Sequence, residues 1–379
     1  MSRSLVFSVL LAIACLASAS AAHAGVTAGG QLFTNFRLDL TDLGYGKSYG
    51  EFDVQRAYFD FGSKITPNVK LRATTDVYSK TSADQVSFKV QRPGYSDTTI
   101  ALTIPRYYEG WGVRMKFAYL DITNILPNTT IRFGMQPEAL TGKSEAFWGY
   151  RFVERVQIDL DGGLSPADLG VSLLRDLPRG FGSVQIQAQN GPSYARREDN
   201  KYKDISALVQ LLPANKNPMW KFFTVQGYLR KGYSRASGKD YRRDVWNVGA
   251  GYLRPSFNLG FELNNTSNES STGDVSARGY SLCFSFSPGC GGQTKDCTFF
   301  TRFDSWDPNM GKNGGDNART RMFLGVSRQM AKNVRCAFDY QGVSISQKNR
   351  SVTEPFLKDS HGIALEKTHQ VFTHFEVKF

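Results

Sequence analysis

Apolar and polar residues alternate along most of this chain with a period of two. In Tyr280-Ser-Leu-Cys-Phe-Ser-Phe-Ser287 the even positions are large and apolar and the odd ones small or polar. In Val69-Lys-Leu-Arg-Ala-Thr-Thr-Asp-Val-Tyr78, Val69, Leu71, Ala73 and Val77 fall on one side and Lys70, Arg72 and Asp76 on the other. At the C-terminus Val371, Thr373, Phe375, Val377 and Phe379 share one face and Gln370, His374, Glu376 and Lys378 the other. Side chains of a strand point alternately to its two faces, so each segment reads as a strand with one greasy face.

Sixteen such segments can be marked: near 29–39, 51–63, 68–79, 111–122, 129–137, 168–176, 182–191, 202–213, 219–233, 242–254, 256–268, 276–287, 296–307, 318–329, 333–346 and 366–379. Helical periodicity is scarce. Segments of about ten alternating residues separated by turns are the signature of a transmembrane barrel strand. Connections leaving even-numbered strands are mostly tight and rich in Pro, Gly and Asn: Thr66–Asn68, Leu126–Asn128, Leu177–Gly180, Pro213–Pro218, Arg254–Ser256 and Met330–Asn333. Those leaving odd-numbered strands are often long, near 40–50, 80–110, 138–167, 308–317 and 347–365, while those near 192–201, 234–241 and 269–275 are modest. Short turns on one rim and long loops on the other fit an antiparallel up-and-down barrel with periplasmic turns and extracellular loops. Residues 86–104 read as a hairpin around Pro93-Gly94, either a loop extension or two further strands, so eighteen strands are an alternative. Barrels of this size enclose water.

The N-terminus agrees with that destination. Residues 1–24 join one Arg, an apolar run from Leu5 to about Ala17, and Ala22-His23-Ala24, the layout of a secretory signal peptide; residues 25–379 are then the barrel. Beyond residue 24 no apolar run is long enough for a spanning helix, which leaves periplasm, medium or an outer-membrane barrel. In such a barrel the last strand must pair with the first. The terminal Phe379 then sits at a membrane boundary, and it matches the C-terminal aromatic that serves outer-membrane proteins as an insertion signal.

The net charge of +12 acquires meaning once faces are assigned. Turning the apolar faces to lipid sends Arg37, Arg56, Lys70, Arg72, Arg114, Lys116, Arg132, Arg230, Arg302, Arg321 and Arg335 to the lumen, against fewer acids, Asp39, Asp60, Asp76, Asp304 and Asp339. An Arg or Lys in the bilayer midplane costs about 2–4 kcal/mol, whereas a wet pore holds it at little cost. An excess of one sign in a narrow, low-dielectric channel concentrates the opposite ion, which predicts anion preference. The alternative is that these cations pair with the acids and leave a weakly selective pore. For narrowing, the candidate is the connection 138–167, where Phe147-Trp-Gly-Tyr-Arg-Phe-Val-Glu-Arg155 offers aromatics to anchor on the wall and Arg151, Glu154 and Arg155 to face water; a loop over the mouth is the alternative.

Other chemistry is poorly represented. After residue 24 the histidines are His361, His369 and His374, and a barrel hydrolase would need one of them brought to a Ser; His374, on the lumen side, reads as part of a titrating pore wall. Asp304, Asp307, Asn309 and Asp316 lack EF-hand spacing, so no metal site or cofactor is expected. Basic residues that alternate along strands do not form a nucleic-acid patch. Cys290 and Cys297 could close a small disulfide loop in an oxidising compartment or remain free thiols.

Several motifs follow one another along the chain: Ile131-Arg-Phe-Gly-Met-Gln-Pro137, Phe152-Val-Glu-Arg155, Asp168-Leu-Gly-Val171, Asn190-Gly191, Phe303-Asp-Ser-Trp-Asp-Pro-Asn309, Asn333–Gln341 and the terminal Phe379. In that order they resemble the Gram-negative porin O/P family of phosphate-selective porins. The resemblance implies a sixteen-stranded homotrimeric barrel in the outer membrane, an inward third loop and an anion pathway of Arg and Lys, with small anionic or neutral solutes as partners beside the membrane lipid. The family's binding lysines find no matching positions here. A barrel that sheathes a periplasmic partner, such as an electron carrier, is the alternative function.

Overall fold

The computed structural model describes residues 25–41, 49–80, 84–90, 98–104, 110–236, 238–270, 273–289, 297–311, 318–346 and 367–379. Residues 1–24 and Cys290 lie outside that set, and with them the expected signal peptide and the 290–297 disulfide.

The described residues form eighteen strands, sixteen of them in one closed antiparallel barrel. The first part comprises β1 (Val26–Asp39), β2 (Tyr49–Thr66), β3 (Val69–Lys80), β4 (Asp84–Val90), β5 (Thr98–Ile104), β6 (Gly110–Thr123) and β7 (Thr129–Pro137). The middle holds β8 (Ala167–Asp176), β9 (Gly182–Gln189), β10 (Asp204–Leu211), β11 (Phe223–Ala236) and β12 (Lys239–Arg254). The circuit ends with β13 (Phe257–Asn268), β14 (Val275–Phe286), β15 (Cys297–Asp307), β16 (Arg319–Ala331), β17 (Val334–Ile345) and β18 (Lys367–Lys378). Every barrel strand overlaps one of the sixteen alternating segments. Strands β4 and β5 pair only with each other, because β3 joins β6 directly, so the eighteen-strand alternative falls.

Closure is made by β1 on β18, with Leu32 opposite Val377 and Asn35 opposite His374. The terminal residue takes part: Gly30 N–H donates to the Phe379 carbonyl at 2.8 Å, and the Phe379 ring meets Phe59 at 5.8 Å. No strand edge is left unpaired in the barrel.

Two connections depart from the expected lengths. Strand β11 begins at Phe223 rather than 219, so Pro218, Met219 and Trp220 belong to an extended turn. On the opposite rim, β11 and β12 run on to Ala236 and Lys239, so the modest loop expected at 234–241 is a tight hairpin. Alternation fixes a strand's face, but not where pairing stops once turn residues can join the ladder.

The apolar faces point outward. Phe52, Val113, Leu229, Phe338 and Leu324 are all more than half exposed, which in a water-soluble domain would be an aggregation-prone surface. The packed core lies inside the barrel, where the connection between β7 and β8 folds down against the inner wall. That connection carries α1 (Ala139–Trp148) and the short α2 (Gln157–Leu160).

Candidate functional site

The inward loop is built from its ends. Pro137 stops β7, and Glu138 caps α1 by accepting from Ala139 N–H at 3.0 Å. The same carboxylate accepts from Tyr228 Oη at 2.7 Å and lies 3.6 Å from Arg230, so the cap is tied to β11. Gly149, in the left-handed region at φ 72°, ends the helix and turns the chain along the wall.

Phe147 then settles on Gly249, Gly251 and Gly260, three wall positions where a Cβ would come within 3.0 Å of it. Next to it Trp148 packs on Phe300 and Phe323, Tyr150 stacks on Phe300 at 4.1 Å, and Phe152 meets Phe33 and His374. The aromatic anchors expected of Phe147-Trp-Gly-Tyr-Arg-Phe152 are thus all buried against the wall.

Polar contacts complete the seal. Ser144 donates to Glu262 at 2.6 Å, Gln157 donates to the Tyr280 and Ser305 carbonyls, and Asp161 receives both Arg319 and Arg321. A segment with this many buried contacts has little freedom to open locally.

All eleven basic residues expected in the lumen stand on the inner face, but they divide into two groups. Arg230 and Arg302 are buried beneath the loop and do not meet water. Arg302 lies between the Trp148 and Phe323 rings at 4.4 and 4.2 Å and pairs with Asp304 at 2.9 Å. Arg230 pairs with Asp204 and Glu138. Arg321 is drawn to Asp161, and Arg335 lies over Phe152 with Glu376 beside it. The expectation that these cations line the water column is corrected for Arg230 and Arg302: an inward strand position becomes a core position wherever the loop covers it. His374 is corrected likewise, since it is fully buried between Phe372 and Phe152, with its Nε2 3.0 Å from an Asp339 carboxylate oxygen.

On the opposite wall, strands β2, β3, β6 and β7 are left uncovered. Arg56 and Arg114 reach past Asp76, Arg72 pairs with Asp60, and Arg132 with Asp121 in a two-point contact at 2.7 and 2.9 Å. Aromatic rings hold these cations in place: Arg114 sits 4.1 Å from Tyr78 and 4.3 Å from Tyr194, Lys116 lies 4.0 Å over Tyr58, and Arg132 4.2 Å over Tyr119. Arg37, nearer the long-loop rim, pairs with Glu51 at 2.6 Å, and Lys70 stands exposed near the short-turn rim.

The loop meets this wall across a gap of about 230 Å³ lined by Arg56, Tyr58, Arg114, Arg151, Arg155, Asp159 and Tyr194. Toward the short-turn rim a second recess of about 420 Å³ is lined by Asp60, Lys70, Arg72, Tyr119 and Asp121. In the gap the acids are less exposed than the cations. Asp76 has a side chain 0% exposed against 24% for both Arg56 and Arg114, and Asp159 has 8% against 41% for Arg155. Burial raises the Asp159 carboxyl above the usual range, while Arg155 and Arg151 pull it back. Burial and the neighbouring Asp76 likewise keep the Tyr194 phenol protonated. Arg151 pairs with Glu145, and Glu154 accepts from Arg155 N–H.

Several of these partners escaped the sequence reading. Glu262 was legible in principle, because it alternates with Gly260 and Asn264 on the inner face. Nothing in periodicity distinguishes Glu138, Asp159, Asp161 or Tyr194, which stand in connections. Among the described residues no cluster of His, Cys, Asp and Glu could hold a metal ion.

No protein-family model matches this sequence. No curated protein matches it either. Solved structures do. An anion-selective porin from Comamonas acidovorans superposes with a TM-score of 0.63 at 13% identity, covering 94% of this chain and 99% of that one. The fold is the porin fold. The outer membrane channel DcaP of Acinetobacter baumannii gives 0.60 at 11% identity, covering 95% and 99%. OmpF of Salmonella typhi, in complex with daunomycin, gives 0.57 at 12%, covering 93% and 97%. The resemblance to the phosphate-selective porins rests on the quoted motifs alone.

Proposed function

We propose that the protein is an outer-membrane porin, a water-filled channel for passive diffusion of small hydrophilic solutes, with a preference for anions. The observation that carries the preference is the order of charges at the gap. Arg56, Arg114, Arg151 and Arg155 border it, while Asp76 is withdrawn behind them and Asp159, the one acid in the lining, is far less exposed than Arg155. A solute in the gap meets guanidinium groups first, and the low-dielectric walls keep their field from being screened. Solved porins of the same fold, one of them described as anion-selective, support the reading.

On this reading the short-turn rim faces the periplasm and the long-loop rim the exterior, the exposed apolar belt meets lipid, and the chain assembles as a homotrimer. Phosphate-like anions are the solute class that the family motifs suggest. Catalysis has no part in the function.

A sheath around a periplasmic partner is disfavoured by the inward loop, whose seal leaves no bore for a protein. Planar-bilayer recording separates the two: the purified protein alone gives steady, stepwise ion currents if it is a porin. A barrel that conducts only after loss of a bound partner would replace this reading with the sheath.

A further inference from the structure

The outer wall is not uniformly filled. Over β10–β13 the outward positions include Gly227 and Ala250, flanked by Val209, Val225, Val248 and Phe261. They form the floor of a recess of about 360 Å³ whose lining is almost wholly apolar. It shares Ala250 and Phe261 with a second recess of about 520 Å³, lined also by Met219, Trp220, Tyr252 and Leu282, so the two form one trench descending toward the short-turn rim. A Cβ on Gly227 would meet nothing within 4 Å, so the trench is open space and not a packing contact.

The trench ends at a polar anchor. The extended turn 212–222 lays Trp220 and Phe222 edge-on against Tyr252, whose hydroxyl donates to the Met219 carbonyl at 2.7 Å. Two residues past Tyr252, in the same outward row, stands Arg254, and Lys221 lies 5.2 Å from the Phe222 ring. Both cations are exposed, and neither has an ion-pair partner among the described residues. Two unpaired cations at the foot of an open apolar groove complement one chemistry: a phosphate diester carrying acyl chains.

We propose that this trench is a binding site for an anionic phospholipid of the periplasmic leaflet. One acyl chain lies over Gly227 and Ala250 and the phosphate is held by Arg254 and Lys221. The proposal rests on the membrane-barrel reading, which supplies the lipid and the orientation, but not on the channel's selectivity. Each cation near such a headgroup is worth about 1 kcal/mol, roughly a fivefold change in occupancy.

The test uses the full mature protein and native mass spectrometry, with phosphatidylglycerol and phosphatidylcholine of identical chains. Phosphatidylglycerol should be retained in preference, about tenfold or more. Arg254→Glu with Lys221→Glu should abolish the preference, and Gly227→Leu, which fills open space, should lower retention of both lipids. Equal retention of the two lipids by the unaltered protein would overturn the proposal, as would variants that retain lipid unchanged. A change of oligomeric state in Gly227→Leu would also overturn it, assigning the trench to a seam between copies. Bilayer conductance of the same variants should be unaltered; absence of conductance in every sample, the unaltered protein included, would count against the channel reading while leaving the lipid result to stand.

Discussion

The two halves of the lumen carry the same residue types and put them to different uses. On the wall under the loop, Arg230 and Arg302 are ringed by carboxylates and aromatics in a buried core. On the open wall, Arg56, Arg72, Arg114 and Arg132 have acid partners too, yet retain water contact. Pairing alone therefore does not decide whether a lumen cation acts on a solute. What decides is which member of the pair stands between its partner and the water. Where the loop supplies a lid, the pair becomes structural, and its net field in the pore is small; where there is no lid, the cation in front sets the local potential.

This contrast can be broken most severely at the gap. Replacing Arg56, Arg114 and Arg155 together by Glu should reverse the sign of ion selectivity, an effect on the order of tenfold in the permeability ratio. An unchanged ratio, read from reversal potentials, would show that ions pass elsewhere.

The next comparison makes one chemical change on each wall. Asp304→Asn leaves the buried Arg302 charge uncompensated, which should cost about 3–5 kcal/mol of stability and leave selectivity nearly as it was. Asp121→Asn, beside the half-buried Arg132, should cost about 1 kcal/mol or less and strengthen anion preference. Urea-induced unfolding in lipid vesicles and bilayer recording on both variants would check the pair. Equal stability losses would erase the distinction between the walls.

The smallest effect is with pH. Asp159 titrates above the usual carboxylate range because it is buried, so lowering pH from neutral toward its raised pKa protonates it before an ordinary aspartate. That removes a negative charge beside Arg155, and anion preference should rise modestly as pH falls from neutral toward the carboxylate range. Asp159→Asn should flatten the rise in a reversal-potential series.

Sequence periodicity carries the barrel almost whole, because burying one face and exposing the other leaves a period-two record in every strand, Phe379 included. The inward seat of Phe147, Trp148, Tyr150 and Phe152 is one of two readings of a long, aromatic-rich connection and not a product of periodicity. Nor does periodicity carry the division of the lumen. Arg302 and Arg132 occupy equivalent inward positions in similar strands, and only the path of the loop, set by Glu138, the glycine floor beneath Phe147 and the seat of Asp161, determines that one is buried and the other wet. Those are contacts between residues up to 160 positions apart in sequence, as in Arg321 on Asp161, and no local pattern encodes them.

The most direct measurement is the reversal potential of the unaltered protein in a planar bilayer across a tenfold potassium chloride gradient. The arginines at the gap, more exposed than Asp76 and Asp159, predict a potential of the sign set by chloride. A potential of the sign set by potassium would contradict the account at its centre.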